Sequence, residues 1–126
     1  MSYRHHVRVR YVDCDMQGVV YNAHYLTFAD DGLDCWLREL DATFESRGWE
    51  LMVKRAEVEW HGPARVADVI DIDISVSRWG RTSLDVGFRG SVGGDAAFDA
   101  TLVYVVVDTG EHRPVPIPHD LRAHLG

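Results

Sequence analysis

Three groups that acyl-transfer chemistry uses, a carboxylate, a glycine and a residue suited to start a helix, fall within eight positions of one another at Asp15, Gly18 and Asn22. They belong to the run Tyr11-Val-Asp-Cys-Asp-Met-Gln-Gly-Val-Val-Tyr-Asn-Ala-His-Tyr25, which separates a strand-like segment from a helical one. A helix start leaves backbone N–H groups without internal partners and carries partial positive charge, so it can stabilise an oxygen that gains negative charge. Asp15, seven residues ahead of Asn22, could sit close to the same carbonyl. The plain alternative is a loop aspartate that caps a turn. Asp13, two residues earlier, invites a shared acid/base reading, but across a strand end the two carboxylates need not share a face. Asp13 is therefore assigned a structural role, hydrogen-bonding the loop backbone. Gly18 permits a positive φ or a close approach of backbone to ligand, and a plain turn glycine would look the same.

The elements that position this run are legible from hydrophobic periodicity. Val7, Val9 and Tyr11 alternate with Arg8, Arg10 and Val12, which predicts a first strand reaching the loop. Tyr25, Leu26, Phe28, Ala29, Leu33, Trp36, Leu37 and Leu40 recur at three- and four-residue intervals and predict a core helix of about four turns. Asn22 is the predicted N-cap. Gly32 weakens the middle of that helix by about 1 kcal/mol relative to Ala, which implies close backbone packing there. After an irregular stretch ending near Gly48, four more strands are predicted at 51–60, 69–78, 83–91 and 96–107. Ile70, Ile72, Ile74 and Val76 alternate with Asp71, Asp73, Ser75 and Ser77, so one face of that strand is buried and the other wet. The segment 102–107 is apolar on both faces, as in a strand covered by the helix on one side and by another subunit on the other. Gly80 and Gly93-Gly94 turn the last three strands into an antiparallel meander, and Pro114, Pro116 and Pro118 stop the sheet. The expected class is α+β, one long helix packed on a five-stranded antiparallel sheet in the order β-α-β-β-β-β.

Composition narrows the functions. At 126 residues with 46% hydrophobic content the chain is expected to form one domain, 1–126. A formal charge of −7 disfavours nucleic acid as a partner, because phosphate recognition needs a concentrated basic face. No signal-peptide core and no bilayer-length apolar run appears, so no membrane partner is expected. Cys14 and Cys35 have neither metal-ligand nor redox spacing and read as thiols of a reducing compartment, the cytoplasm. His5 and His6 are adjacent and would face opposite sides of a strand, and no HxH, HExxH or CxxC spacing occurs, so no metal is predicted. A Cys14 nucleophile is disfavoured because nothing places a histidine to activate it.

The run from Tyr11 to Tyr25 resembles the active-site segment of the 4-hydroxybenzoyl-CoA thioesterase family of hotdog-fold enzymes, whose pattern is roughly aromatic-x-D-x-D-x-x-G-x-V-x-N/H-x-x-Y. Tyr11, Asp13, Asp15, Gly18, Val20, Asn22 and Tyr25 fall in register, and Glu57-Val-Glu-Trp-His-Gly-Pro-Ala64 and Trp79-Gly-Arg-Thr-Ser83 extend the resemblance over nearly the whole chain. It implies a hotdog fold, hydrolysis of an acyl-CoA thioester to free acid and coenzyme A, and sites lying between the subunits of a homodimer or homotetramer. It puts Asp15 on the family's catalytic carboxylate, as nucleophile or general base, and the Asn22 backbone N–H at the oxyanion position. The related bacterial thioesterases associated with the Tol–Pal system often carry His where this chain has Asn22, so acid or base action is lost there and capping or hydrogen bonding remains. Tyr25 would line the acyl pocket or pack, and His61 would border the pantetheine tunnel. The turn 79–83 resembles the family's nucleotide-contacting turn, with Arg81 as the first phosphate candidate, Arg78 and Arg65 ranked after it, and Thr82 and Ser83 as candidates to meet pantetheine or phosphate. Asp30 sits near where another branch of the family places a catalytic helix carboxylate; with Asp15 present, Asp30 and Asp31 are read as solvent-facing or subunit-interface residues, and that alternative stays open. No cofactor is expected beyond the coenzyme A of the substrate, since a thioester is already activated and one carboxylate with an oxyanion site suffices. Two other readings are an acyl-carrier-protein thioesterase, disfavoured by the acidic chain, and a non-catalytic module that binds acyl thioesters, disfavoured by Asp15. Trp36, Trp49, Trp60 and Phe28 are candidates to shape an acyl pocket or to fill the core.

Overall fold

The computed structural model describes residues 1–41 and 44–126. Its elements run β1 (Tyr3–Arg8), α1 (His24–Leu40), β2 (Trp49–Trp60), β3 (Val69–Trp79), β4 (Ser83–Val92), β5 (Asp95–Asp108) and α2 (His119–Leu125). The five strands form one sheet in the order β1-β3-β4-β5-β2, and every neighbouring pair is antiparallel. β3, β4 and β5 are the predicted meander, with β1 and β2 left as the two edges.

Strict alternation decides which face each strand buries. Ile70, Ile72 and Ile74 of β3 are inaccessible to solvent, and so are Leu84 and Val86 of β4; Phe98, Leu102, Tyr104 and Val106 of β5 lie on the same side. Helix α1 covers that face with Tyr25, Phe28, Ala29, Leu33, Trp36 and Leu37. Burial of each large apolar side chain among these contributes about 1.5–3 kcal/mol, which is what holds the helix on the sheet. At Gly32 a Cβ would stand 2.7 Å from Ile74 Cδ1 and 3.1 Å from His5 Cδ2, so the helix crosses β3 and β1 closely there and a larger residue would require those side chains to shift.

Four details depart from expectation. The first strand ends at Arg8, because Val9 turns its hydrogen bonds to the loop before β3: its N–H donates to Asp68 (2.8 Å), and its carbonyl accepts from Ala67 (2.9 Å). Tyr11–Asp13 is consequently a 3-10 turn, and Tyr11 points outward. Asn22 is not the N-cap; Ala23 is, in a helical conformation and with no side-chain cap bond. The predicted irregular stretch includes residues 42 and 43, which lie outside the described residues, and its end forms a 3-10 turn, Phe44–Arg47. A short C-terminal helix, α2, follows the prolines; Leu121 and Leu125, its only buried residues, are one turn apart, and two positions are too few to show as a period in sequence.

Candidate functional site

Between β1 and α1 the chain folds into a small hairpin. The Tyr21 N–H donates to Asp13 O (3.0 Å), the Asp15 N–H to Val19 O (3.0 Å) and the Gly18 N–H to Asp15 O (3.0 Å), while Cys14 and Val20 form an isolated bridge. Gly18 has φ of +77° and nothing within 4 Å of a built Cβ, so this turn needs glycine for its backbone conformation rather than for space. At the tip, Asp15 is exposed, and its Oδ1 accepts the Gln17 N–H at 2.8 Å. That bond stiffens the turn and fixes where the carboxylate stands.

Asp13 is the opposite case. It is 3% exposed, and its Oδ2 accepts the Arg10 N–H (2.8 Å) and Nε (3.2 Å) while its Oδ1 accepts Nη2 (3.0 Å). The hydrogen bonds from the Arg10 side chain hold its carboxyl below the usual aspartate range, against the opposing effect of burial. Two carboxylates two residues apart thus have separate environments, one engaged with Arg10 and one presented to solvent.

The hairpin leads into the start of α1, which forms one wall of a cleft of about 350 Å³ lined by Val19, Val20, Asn22, Tyr25, Trp60, His61, Gly62 and Pro63. Asp15 is hydrogen-bonded across the hairpin to Val19, a wall residue. The loop after β2 closes the other side, fixed by the bond from Val20 N–H to Ala64 O (2.9 Å) and by the bonds of His61 N–H (2.8 Å) and Gly62 N–H (3.2 Å) to Ala97 O. Tyr25 is 3% exposed, with its ring 4.9 Å from Phe98, and burial pushes its phenol up. Phe98 in turn lies over Gly90, where a Cβ would come within 2.2 Å of the ring. The chain Gly90, Phe98, Tyr25 therefore sets the height of the helix start above the sheet. His61 Nε2 lies 3.0 Å from Asp99 Oδ2 at the cleft rim.

The structure brings Asn22, Tyr25 and His61 together in this cleft and sets Asp15 and Gly18 on the hairpin beside it. It separates the predicted cations. Arg65 follows the cleft loop at the start of β3, whereas Arg78, Arg81, Thr82 and Ser83 lie at its other end, across the eleven residues of Val69–Trp79, a length of roughly 33 Å at the usual strand rise. Arg65 and Arg81 therefore belong to opposite ends of the sheet. Arg78 is spent on the turn itself, with Nε 3.0 Å from Asp85 Oδ1 and Nη2 3.0 Å from Ser83 Oγ. Arg81 is exposed, its carbonyl accepts from Ile117 N–H (2.9 Å), and the Thr82 carbonyl accepts from Val106 N–H (2.8 Å). Trp36, Trp49 and Phe28 are core residues, while Trp60, 51% exposed, is the one of the four aromatic candidates that lines the cleft.

Sequence reasoning missed a second groove, of about 520 Å³, between α1 and strands β2 and β5, with Leu26, Asp30, Asp31, Asp34, Val53 and Leu102 among its walls. Asp30 is tied to the core there, accepting the Tyr104 hydroxyl at 2.9 Å, and burial followed by the Asp30 charge drives that phenol far above its ordinary range, fixing it as a donor. The only sequence signal for this pair was a tyrosine within the otherwise aliphatic segment 102–107.

Comparison with known proteins places this geometry among relatives. The profile of the thioesterase-like superfamily matches residues 9–125. The chain is 29% identical over 121 residues to acyl-CoA thioesterase YbgC of Haemophilus influenzae, covering 93% of this chain and 89% of that one. It is 24% identical over 122 residues to a 1,4-dihydroxy-2-naphthoyl-CoA hydrolase of Synechococcus elongatus, covering 93% and 90%. A thioesterase from Thermus thermophilus, solved in complex with coenzyme A and Zn, superimposes with a TM-score of 0.84 at 25% identity, covering 97% of this chain and 90% of that one.

Proposed function

The chain belongs to the thioesterase-like superfamily, and from that premise we propose that it hydrolyses acyl-CoA thioesters to the free acid and coenzyme A. The observation that carries this reading is the junction itself: an exposed carboxylate on a stiffened hairpin and a helix start lie within one short stretch of chain, beside a partly apolar cleft that the loop after β2 closes. Asp15 acts as nucleophile on the thioester carbonyl or as the base that activates water, and backbone N–H groups around Asn22 receive the developing oxyanion. Tyr25 forms the apolar floor, Trp60 flanks the acyl chain, and His61 lies along the pantetheine arm. Gly18 supplies the turn that presents Asp15. A thioester is already activated, so these protein groups and water are sufficient for the chemistry without a cofactor.

Coenzyme A phosphates need cations, and Arg65 is the predicted one on the cleft side of the sheet. Arg81, Thr82 and Ser83 contribute when a neighbouring subunit brings its turn to the cleft. A homodimer or tetramer fits the long edge strand β2, whose Met52 and Val53 are about half exposed and whose backbone is open to pairing. Two cysteines outside any disulfide suit a cytoplasmic setting, and among the described residues no helix is long and apolar enough to cross a membrane.

The test is free-thiol release from short, medium, long-chain and aromatic acyl-CoA thioesters, with native protein beside Asp15→Asn. Loss of about 10²–10⁴-fold in kcat, with fold and assembly unchanged, is the expected result. Equal activity of the variant refutes the assignment of Asp15. Turnover only of acyl-carrier-protein thioesters would move the substrate from coenzyme A to the carrier.

A further inference from the structure

On the sheet edge remote from β2, three side chains of different donor type converge. His5 of β1, Asp31 and Cys35 of α1 each offer one ligand atom, and the three atoms all lie within 4.8 Å of one another. His5 Nε2 is 3.3 Å from Asp31 Oδ2. Asp31 and Cys35 are four residues apart on the helix and so lie one above the other on the same face. The strand histidine can reach that face because of Gly32, between them, where a Cβ would come within 3.1 Å of His5 Cδ2 and 3.3 Å of His5 Cβ. A Cβ there would require the His5 side chain to give by a few tenths of an ångström.

We propose that His5, Asp31 and Cys35 form a binding site for a divalent cation of the zinc class, with a water molecule as fourth ligand. An N, O, S donor set selects a borderline-soft cation over Mg²⁺ or Ca²⁺, which take oxygen. Tetrahedral zinc with bonds of about 2.0–2.3 Å sets its ligand atoms roughly 3.3–3.7 Å apart. His5 Nε2 and Asp31 Oδ2, 3.3 Å apart, already meet that spacing, and with all three atoms within 4.8 Å only a small side-chain adjustment remains; Asp31 itself is 63% exposed. That exposure also leaves the fourth position facing water. In the metal-free protein burial, then the Asp31 and Asp34 charges, keep the Cys35 thiol protonated. Cation binding displaces that proton to solvent as the metal–sulfur bond forms, and the thiolate with the Asp31 carboxylate balances the two positive charges.

Asp31 and Cys35 lie seven and eleven residues beyond His24, roughly 10 and 16 Å along the helix axis from its start. The site is therefore not part of the hydrolytic junction. Its effect is to staple the edge strand β1 to the helix. Nothing in the linear spacing of His5, Asp31 and Cys35 announces it, because one ligand comes from a different element.

The test is titration of chelator-treated full-length protein with Co²⁺ as a spectroscopic substitute, followed by displacement with Zn²⁺. The expected result is one Co²⁺ per chain, visible d–d bands and a near-ultraviolet thiolate-to-metal band, all lost on addition of Zn²⁺. Cys35→Ser removes the thiolate band; Asp31→Asn and His5→Gln weaken Co²⁺ affinity by more than about tenfold; Cys14→Ser changes nothing. A native protein with no thiolate band, or a band that survives Cys35→Ser or disappears with Cys14→Ser, overturns the proposal. If Cys35→Ser melts abnormally early, Asp31→Asn decides instead, since that residue is exposed, and unaltered affinity there also refutes the site.

Discussion

Replacing Asp13 by Asn separates the two carboxylates of the hairpin most sharply. Asp13 is shielded from solvent, and the bond it accepts from the Arg10 N–H at 2.8 Å has an ionised acceptor; such bonds contribute about 1.5–3 kcal/mol. The guanidinium contacts add little, because the Arg10 side chain is 68% exposed and screened by water. Asn keeps the shape but loses the charge and turns an amide toward the guanidinium, so the expected loss at pH 7 is about 2 kcal/mol, or roughly 6–10 °C in Tm for a chain of this size. The assay is urea and thermal unfolding at matched chain concentration, since association would shift both curves. The folded-state carboxyl lies below its unfolded value. Its contribution is thus fully present above about pH 4, the unfolded aspartate value, and is lost as pH falls through the lower folded value. Other acids titrate alike in both proteins, so the gap between native and variant narrows below about pH 4. A variant as stable as native at pH 7, or a gap unchanged at pH 3, refutes the reasoning. Activity supplies the complement: folded Asp13→Asn keeps kcat within a few-fold, whereas Asp15→Asn keeps stability and loses kcat.

Two glycines give further checks. Gly18→Ala should cost about 1–2 kcal/mol from the positive φ alone, and Gly18→Asn should recover part of it; melting curves in which Asn is no better than Ala would contradict a purely conformational need. Gly90→Ala drives a Cβ into the Phe98 ring and should cost about 1–3 kcal/mol while raising KM through displacement of Tyr25; a stabilised variant, the usual outcome of Gly→Ala at an uncrowded site, would show that the ring does not rest there.

The helix and strands were legible because side-chain direction repeats locally. The spacing of Tyr25, Phe28, Ala29, Leu33, Trp36 and Leu37 marks one helical face whatever it packs on, and Ile70, Ile72 and Ile74 mark one strand face for the same reason. Gly32 was readable as a close approach, since its cost inside a helix needs a compensating contact. The adjacency of Asp15, Gly18 and Asn22 was readable because all three lie in one short loop. Boundaries failed where a long-range bond competed with a local pattern: Val9 continues the alternation of β1, yet its backbone is taken by Ala67 and Asp68, so the strand stops. Grouping across elements was decided only by tertiary structure. Strand order and register put Arg65 and Arg81 at opposite ends of β3, turned Trp60 toward the cleft while burying Trp36 and Trp49, and carried His5 to within reach of Asp31 and Cys35. Those distances follow from which faces pack together over the whole chain, a property that no local period encodes.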